Sequence, residues 1–273
     1  MRGIGIAFGT ALALTVSAHA DWIGGKWVDV SPFAIPGGNM SGMLGPGDYS
    51  TGFNSGEGYA PGYIDGQNGW AAFAASTLEA HIDTANPFEG DQHLRISGDP
   101  GIPSGTNTGA FSPNLGALTP GRSILSVEIA LSNWGGSDYD VVPQAPSQGF
   151  LTARVKFSWL GDILVLDDVG AGLGYQDTGI DWIEGGYNNL TIDMDPVANT
   201  IDYYYADSLI YSSVAGVYAG TAMEQVVLIS DNFQIDDLEY GDFDNLVLTP
   251  GPGALALMGI VGLAGVNRRR RRD

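Results

Sequence analysis

Apolar and polar residues alternate in short runs from residue 94 onward. Leu94 and Ile96 flank Arg95, and Val127, Ile129 and Leu131 are interleaved with Glu128 and Ala130. Leu151, Ala153, Val155, Phe157 and Trp159 are interleaved with Thr152, Arg154, Lys156 and Ser158. Successive side chains of an extended chain point to opposite faces, so each run predicts a strand with one buried and one solvated face. This register assigns Trp159 to the core and Lys156 to water. Leu190, Ile192 and Met194 continue the pattern, a Pro/Asn turn follows at 196–199, and Ile201, Tyr203 and Tyr205 resume it, which predicts a hairpin. Further strands are expected at 162–166, 209–212, 225–230 and 243–248. Between the two chain ends no window carries a 3.6-residue apolar stripe over three turns. Many short strands joined by Gly-rich turns predict an all-β sandwich or barrel.

The ends differ from this body. Arg2 precedes an apolar run over 4–16 and then Ala18-His19-Ala20. These are the parts of a secretory signal peptide, a helix over 1–20 with cleavage expected after Ala20. At the other end Pro250-Gly251-Pro252-Gly253 leads into an apolar run over 254–266, closed by Arg268, Arg269, Arg270, Arg271 and Arg272. An apolar stretch stopped by a basic cluster reads as a stop-transfer signal with the arginines cytoplasmic. The domain plan is thus a signal peptide at 1–20, one β-domain at 21–249 and a sorting or anchor segment at 250–273. Within the β-domain, 21–67 is rich in Gly, Pro, Ser and Asn and reads as loop, with one edge strand at 26–30.

All 31 acidic residues except Asp273 lie in the body, against only Lys26, Arg95, Arg122, Arg154 and Lys156. Such a surface repels phosphate backbones, which excludes nucleic acid as a partner. The chain has no cysteine. Thiol catalysis, disulfides and Cys-type zinc sites are therefore excluded.

Three segments carry a resemblance. Gly66-Gln67-Asn68-Gly69-Trp70, the hairpin from Tyr187 to Tyr205, and the closing Gly241-Asp242-Phe243-Asp244-Asn245-Leu246-Val247-Leu248 resemble bacterial extracellular domains of the concanavalin A-like lectin/glucanase group. The resemblance implies a jelly roll of two antiparallel sheets. The tail resembles the PEP-CTERM sorting signal, with Gly251 between Pro250 and Pro252 where that motif has Glu. It implies export and processing by an exosortase-type enzyme, with the membrane engaged through a short C-terminal hydrophobic helix.

Glucanases of this group resemble one another through a Glu-x-Asp-x-x-Glu strand, whose alternate carboxylates meet one sugar. The motif is absent: Glu128 is followed by Ala130, and Glu239-Tyr240-Gly241-Asp242 has the wrong spacing. Gly135-Gly136-Ser137 lacks the second glycine of a nucleophile elbow. Gly170-Ala171-Gly172-Leu173-Gly174 has acidic flanks and no following helix, so it reads as a strand connection, not a phosphate loop. Only His81 and His93 remain after the signal, too few for a histidine metal centre. Asp231, Asp236, Asp237, Glu239, Asp242 and Asp244 crowd one short stretch without EF-hand spacing. Two readings stay open there, a solvated acidic loop and a Ca²⁺ site. For sugar contact the candidate platforms are Trp134 with its neighbour Tyr139, in a Gly-rich stretch, and Trp182.

The sequence therefore reads as a non-catalytic, exported protein of the cell envelope, outer surface or extracellular matrix. Its expected partners are the export machinery and extracellular polysaccharide. The alternatives are a lectin-like module with Ca²⁺ and a secreted glycoside hydrolase. The tail yields a test. Its apolar run offers about 20 Å of helix against roughly 30 Å of hydrocarbon, which suits a transient anchor. Mass spectrometry of the surface fraction is expected to find a C-terminus near residues 249–253, and an intact end at Asp273 would refute processing.

Overall fold

The computed structural model describes residues 48–73, 80–97, 102–231 and 239–250, with the backbone of two short strands before them. In chain order the strands are β1 (Ala20–Ile23), β2 (Lys26–Asp29), β3 (Tyr49–Thr51), β4 (Gly62–Tyr63), β5 (Ala71–Ala72), β6 (Ala80–Asp83), β7 (His93–Ser97), β8 (Thr108–Phe111), β9 (Ser123–Leu131) and β10 (Tyr139–Ala145). There follow β11 (Phe150–Leu151), β12 (Val155–Phe157), β13 (Asp162–Asp168), β14 (Leu173–Asp181), β15 (Asn188–Asp195), β16 (Thr200–Tyr205), β17 (Ser208–Ser212), β18 (Gln225–Ser230) and β19 (Tyr240–Pro250). Among the described residues the only helices are three-residue 3₁₀ turns, and none is long and apolar enough to cross a membrane. Apart from Ala20, which opens β1, the expected signal helix lies outside the described residues, as does the tail helix.

The foreseen hairpin forms as β15 and β16, paired from Leu190–Tyr205 to Asp195–Thr200. Asp195 Oδ1 accepts the amides of Val197 and Ala198 at 2.8 and 3.0 Å, and Asn199 takes a positive φ of 58°. An aspartate that bonds its own backbone two residues on and an asparagine in the left-handed region close the turn. Leu190, Ile192, Met194, Ile201, Tyr203 and Tyr205 are thereby all turned into the core.

Two antiparallel sheets pack face to face. The nine-stranded sheet runs β17-β16-β15-β9-β19-β7-β6-β4, with β3 also on β19. The eight-stranded sheet runs β14-β13-β12-β10-β18-β8-β5, with β11 on β10. β1 and β2 form a separate hairpin. The C-terminal strand β19 lies inside its sheet, between β9 on one side and β7 and β3 on the other. At the opposite extreme, β14 is an edge strand and largely exposed. The core lies between the sheets and joins Leu125, Val127 and Ile129 of β9 to Val141, Val155, Phe157, Val226 and Leu228 of the facing sheet.

The eight-stranded sheet departs from the expected half-solvated pattern, because β10, β12 and β18 are buried on both faces. Phe73, Phe111, Val142, Val227 and Ile229 form a second apolar cluster on its outward face. The registers Val142–Val227 and Val227–Phe111 place them side by side across three strands. Arg154 and Lys156, read from sequence as solvated, lie on this same face and are buried. Trp159, assigned to the core, lies beyond the end of β12 and is only half-buried. Within 21–67, β2 overlaps the foreseen edge strand at 26–30, whereas β1, β3 and β4 were not foreseen.

Pro143 stands within the central strand β10, where a missing N–H ordinarily breaks a ladder. Its position answers the problem. β10 pairs β12 up to Val141 and β11 from Gln144, so Pro143 falls where the neighbour changes. Its carbonyl accepts the Thr152 and Ala153 amides at 2.9 and 3.3 Å across that gap.

Double-sided burial predicts the response to charge reversal. Val155→Asp places an unpaired carboxylate in the core and is expected to cost upward of about 4 kcal/mol in urea unfolding. Lys156→Asp is expected to be comparably severe, about 3–5 kcal/mol, because it strands buried acids that Lys156 neutralises. A mild effect at Lys156 would show that the outward face is solvated after all.

Candidate functional site

The loop between β9 and β10 holds Trp134 in a fixed frame. Its amide donates to Glu184 Oε1 at 2.5 Å, and its indole Nε1–H donates to the Trp182 carbonyl at 3.3 Å. The ring stands edge-on to Trp182, with centroids 6.1 Å apart. Gly161 lies beneath it at φ +104°, and a Cβ there would come within 3.0 Å of the ring. Gly135, at φ +95°, turns the loop and donates to the Trp159 carbonyl at 2.7 Å. Trp134 is nonetheless 46% exposed, and Leu160 and Ile183, which adjoin Gly161 and Trp182 in the chain, are also exposed.

The two other aromatic candidates do not present a face. Trp182 is 2% exposed and donates its indole N–H to the Ser158 carbonyl at 2.8 Å, so it is the wall on which Trp134 rests. Tyr139 points inward from β10 and is buried against Gly241, whose Cβ would lie 2.8 Å from its ring. Period two explains the miss: Tyr139 and Val141 take the core side, and Asp138 and Asp140 the other.

Those two aspartates begin a buried charge ladder. Lys156 is the cross-strand partner of Asp140, yet its Nζ lies 2.6 Å from Asp138 Oδ2 and 3.6 Å from Asp140 Oδ2. Arg154 Nε donates to Asp140 Oδ1 at 3.0 Å, and the Tyr175 hydroxyl donates to the same oxygen at 3.2 Å. The Tyr175 ring flanks both cations, 5.4 Å from Lys156 Nζ and 5.6 Å from the Arg154 guanidinium. Asp231 joins at the rim: its Oδ1 accepts the Asp138 amide at 3.1 Å.

The electrostatics follow from burial and partners. Burial alone would raise Asp140, but the Arg154 and Lys156 charges outweigh it and hold the carboxyl below its ordinary range. Burial would lower Lys156, and Asp140 and Asp138 outweigh that, keeping it charged. Burial and then the nearby Asp138 charge push Asp231 up to about 7, against the opposing pull of Lys156. Asp138 and Asp140 are the same-face carboxylates that the strands of Glu128 and Glu239 lack. The next position on that face is Val142. The spacing Asp138-x-Asp140 ahead of an apolar run, answered by Arg154-x-Lys156, was the available signal.

Of the six acids proposed for Ca²⁺, the four among the described residues have different surroundings. Asp231 belongs to the ladder. Asp242, on the nine-stranded sheet, takes a two-pronged Arg95 contact at 2.6 and 2.8 Å and lies 3.1 Å from the buried His93. Arg95 also pairs with Asp83 at 2.8 Å and stacks 4.0 Å over Tyr240. Asp244 Oδ2 accepts the Phe88 and Glu89 amides at 3.0 and 3.2 Å, tying down that loop. Glu239 is buried against Gly136, where a Cβ would meet its carboxylate at 2.1 Å. Asp236 and Asp237 lie outside the described residues, as do Ala18, Gly251, Pro252 and the terminal arginines. Among the described residues, no group of three or more His, Cys, Asp or Glu is placed to hold a metal ion. Pro250 ends β19 opposite Ser123.

No protein-family model and no curated protein matches the sequence. Solved structures do match. A Bacillus licheniformis β-glucanase superposes with a TM-score of 0.49 at 14% identity, over 77% of this chain and 100% of its own. A sialidase gives 0.47 at 11% identity, over 66% of this chain and 17% of its own. The receptor-binding domain of botulinum neurotoxin D gives 0.43 at 13% identity, over 68% and 48%.

Two buried acids give the stability a pH dependence. Burial raises Asp244 to about 6 and Asp231 to about 7. A raised folded-state pKa contributes stability that is complete below the unfolded value, near 3.8, and is lost as pH rises through the folded value. The melting temperature is therefore expected to fall between about pH 4 and 7. In an Asp231→Asn/Asp244→Asn double variant the fall should be shallower. An equal slope in both proteins would exclude these acids as its source.

Proposed function

We propose that this chain is an exported, non-hydrolytic module that contacts neutral polysaccharide through Trp134, on a jelly-roll body of the concanavalin A-like kind. The observation that carries the reading is the frame around Trp134. Two hydrogen bonds, the Trp182 wall and the Gly161 floor hold Trp134 in place while the residue stays 46% exposed. A sugar ring stacks its C–H face on such a surface, and a pre-ordered platform loses little entropy on binding. The acidity of the body favours neutral over anionic glycans.

The charge ladder supports the non-hydrolytic half of the reading. Retaining and inverting glycosidases need two carboxyl groups facing a sugar, one of them free to give a proton. Asp138 and Asp140 are each engaged by a buried cation, at 2.6 and 3.0 Å. Export, and sorting through Pro250, Pro252 and the arginine tail, rest on the sequence features of the two ends.

A glycan array of the purified protein, with and without Ca²⁺, tests the reading. Binding to a neutral β-linked glycan is expected, with a loss of at least about tenfold in Trp134→Ala. Equal binding by that variant, with an unchanged circular dichroism spectrum, would remove Trp134 as the platform. Sustained reducing-sugar release that disappears in Asp138→Asn would overturn the non-hydrolytic assignment.

A further inference from the structure

Lys156 is a primary amine held out of water against a carboxyl group. It is 4% exposed, its Nζ lies 2.6 Å from Asp138 Oδ2, and Asp138 is itself buried. The rest of the ladder sets this contact apart. Asp140 is engaged by Arg154 Nε and the Tyr175 hydroxyl, which leaves Asp138 as the acid that Lys156 alone neutralises. Asp138 Oδ1 accepts the Trp159 amide at 2.8 Å. One carboxyl oxygen thus faces the amine and the other faces a fixed N–H donor.

We propose that Lys156 and Asp138 are the site of an intramolecular isopeptide bond, formed between Lys156 Nζ and Asp138 Cγ with loss of water. The ammonium first passes a proton to the carboxylate, giving a neutral amine and a carboxylic acid. The nitrogen lone pair adds to Cγ, forming the C–N bond and pushing the carbonyl electron pair onto Oδ1. The Trp159 N–H points at that oxygen, as donors do toward a developing oxyanion. A nitrogen proton moves to the hydroxyl oxygen Oδ2, the C–O bond breaks, the Oδ1 pair re-forms the carbonyl, and one water leaves. No group is oxidised or reduced, and no co-reactant is needed.

The surroundings favour the step. Burial lowers the cost of the neutral pair that the proton transfer needs, and because the Asp140 and Asp138 charges keep Lys156 protonated, the bond forms from that minor neutral state. The contact is held by the strand register, so amine and carboxyl meet without diffusion, and such preorganisation is worth orders of magnitude in effective concentration. The product would tie the start of β10 to β12 in a chain that has no cysteine with which to staple it.

Peptide mapping of the full-length protein, with trypsin and chymotrypsin together, decides the matter. The expected result is a branched peptide joining the Asp138 and Lys156 segments, lighter by one water than the two apart, and no cleavage after Lys156. Lys156→Arg and Asp138→Ala are each expected to abolish the branch completely. Unlinked Asp138 and Lys156 peptides from the folded wild-type protein, with no branched species after prolonged incubation at neutral pH, would overturn the proposal whatever the variants do. A branched peptide that maps to Asp140 instead would overturn the assignment to Asp138.

Discussion

A carboxylate without water must be neutralised by something fixed, and in this protein that requirement organises the eight-stranded sheet. Asp140 sits on the outward face of its central strand, fully buried. Removal of a charge from water costs several kcal/mol unless partners and hydrogen bonds replace the solvent. Arg154, Lys156 and Tyr175 provide that replacement from three neighbouring positions, which fixes the relation of β10 to β12 and β14 more tightly than apolar contact alone. Apolar side chains can slide by a register step at modest cost, whereas a mispaired buried charge cannot.

The ladder and the aromatic loop are mechanically continuous. Trp159 donates to Asp138 and accepts from Gly135, the residue after Trp134. The indole platform is therefore braced by the same strand ends that carry the charges. A rigid scaffold beneath a short loop is the usual way for a protein to hold a contact residue at low entropic cost.

The nine-stranded sheet was the more legible half. Leu125 to Leu131, and the hairpin from Leu190 to Tyr205, alternate because their outward faces meet water, and period two registers that contrast. The eight-stranded sheet hides from the same reasoning. Arg154-x-Lys156 has the pattern of a solvated face, and only the facing Asp138-x-Asp140 reveals a buried one. β10 contains Pro143, a residue that argues against a central strand until the break between β11 and β12 is seen. Trp134 was legible because glycines around an aromatic mark an exposed turn. Tyr139, four residues after Gly135, was not, because strand register and not proximity decides its side. The acidic stretch, which left a solvated loop and a Ca²⁺ site both open, divides for a related reason. Asp242 lies in β19 of the nine-stranded sheet, whereas Asp231 follows the end of β18 in the other.

The place of β19 has a consequence for how the chain acquires its shape. Until Tyr240–Pro250 is present, β9 and β7 each lack one neighbour, β3 lacks its partner, and the nine-stranded sheet is three unjoined pieces. Contacts between residue 49 and residue 248 close one of the longest loops in the molecule, so they are costly to form early. The core between the two sheets is therefore closed late, by a strand whose neighbours have no other way to meet.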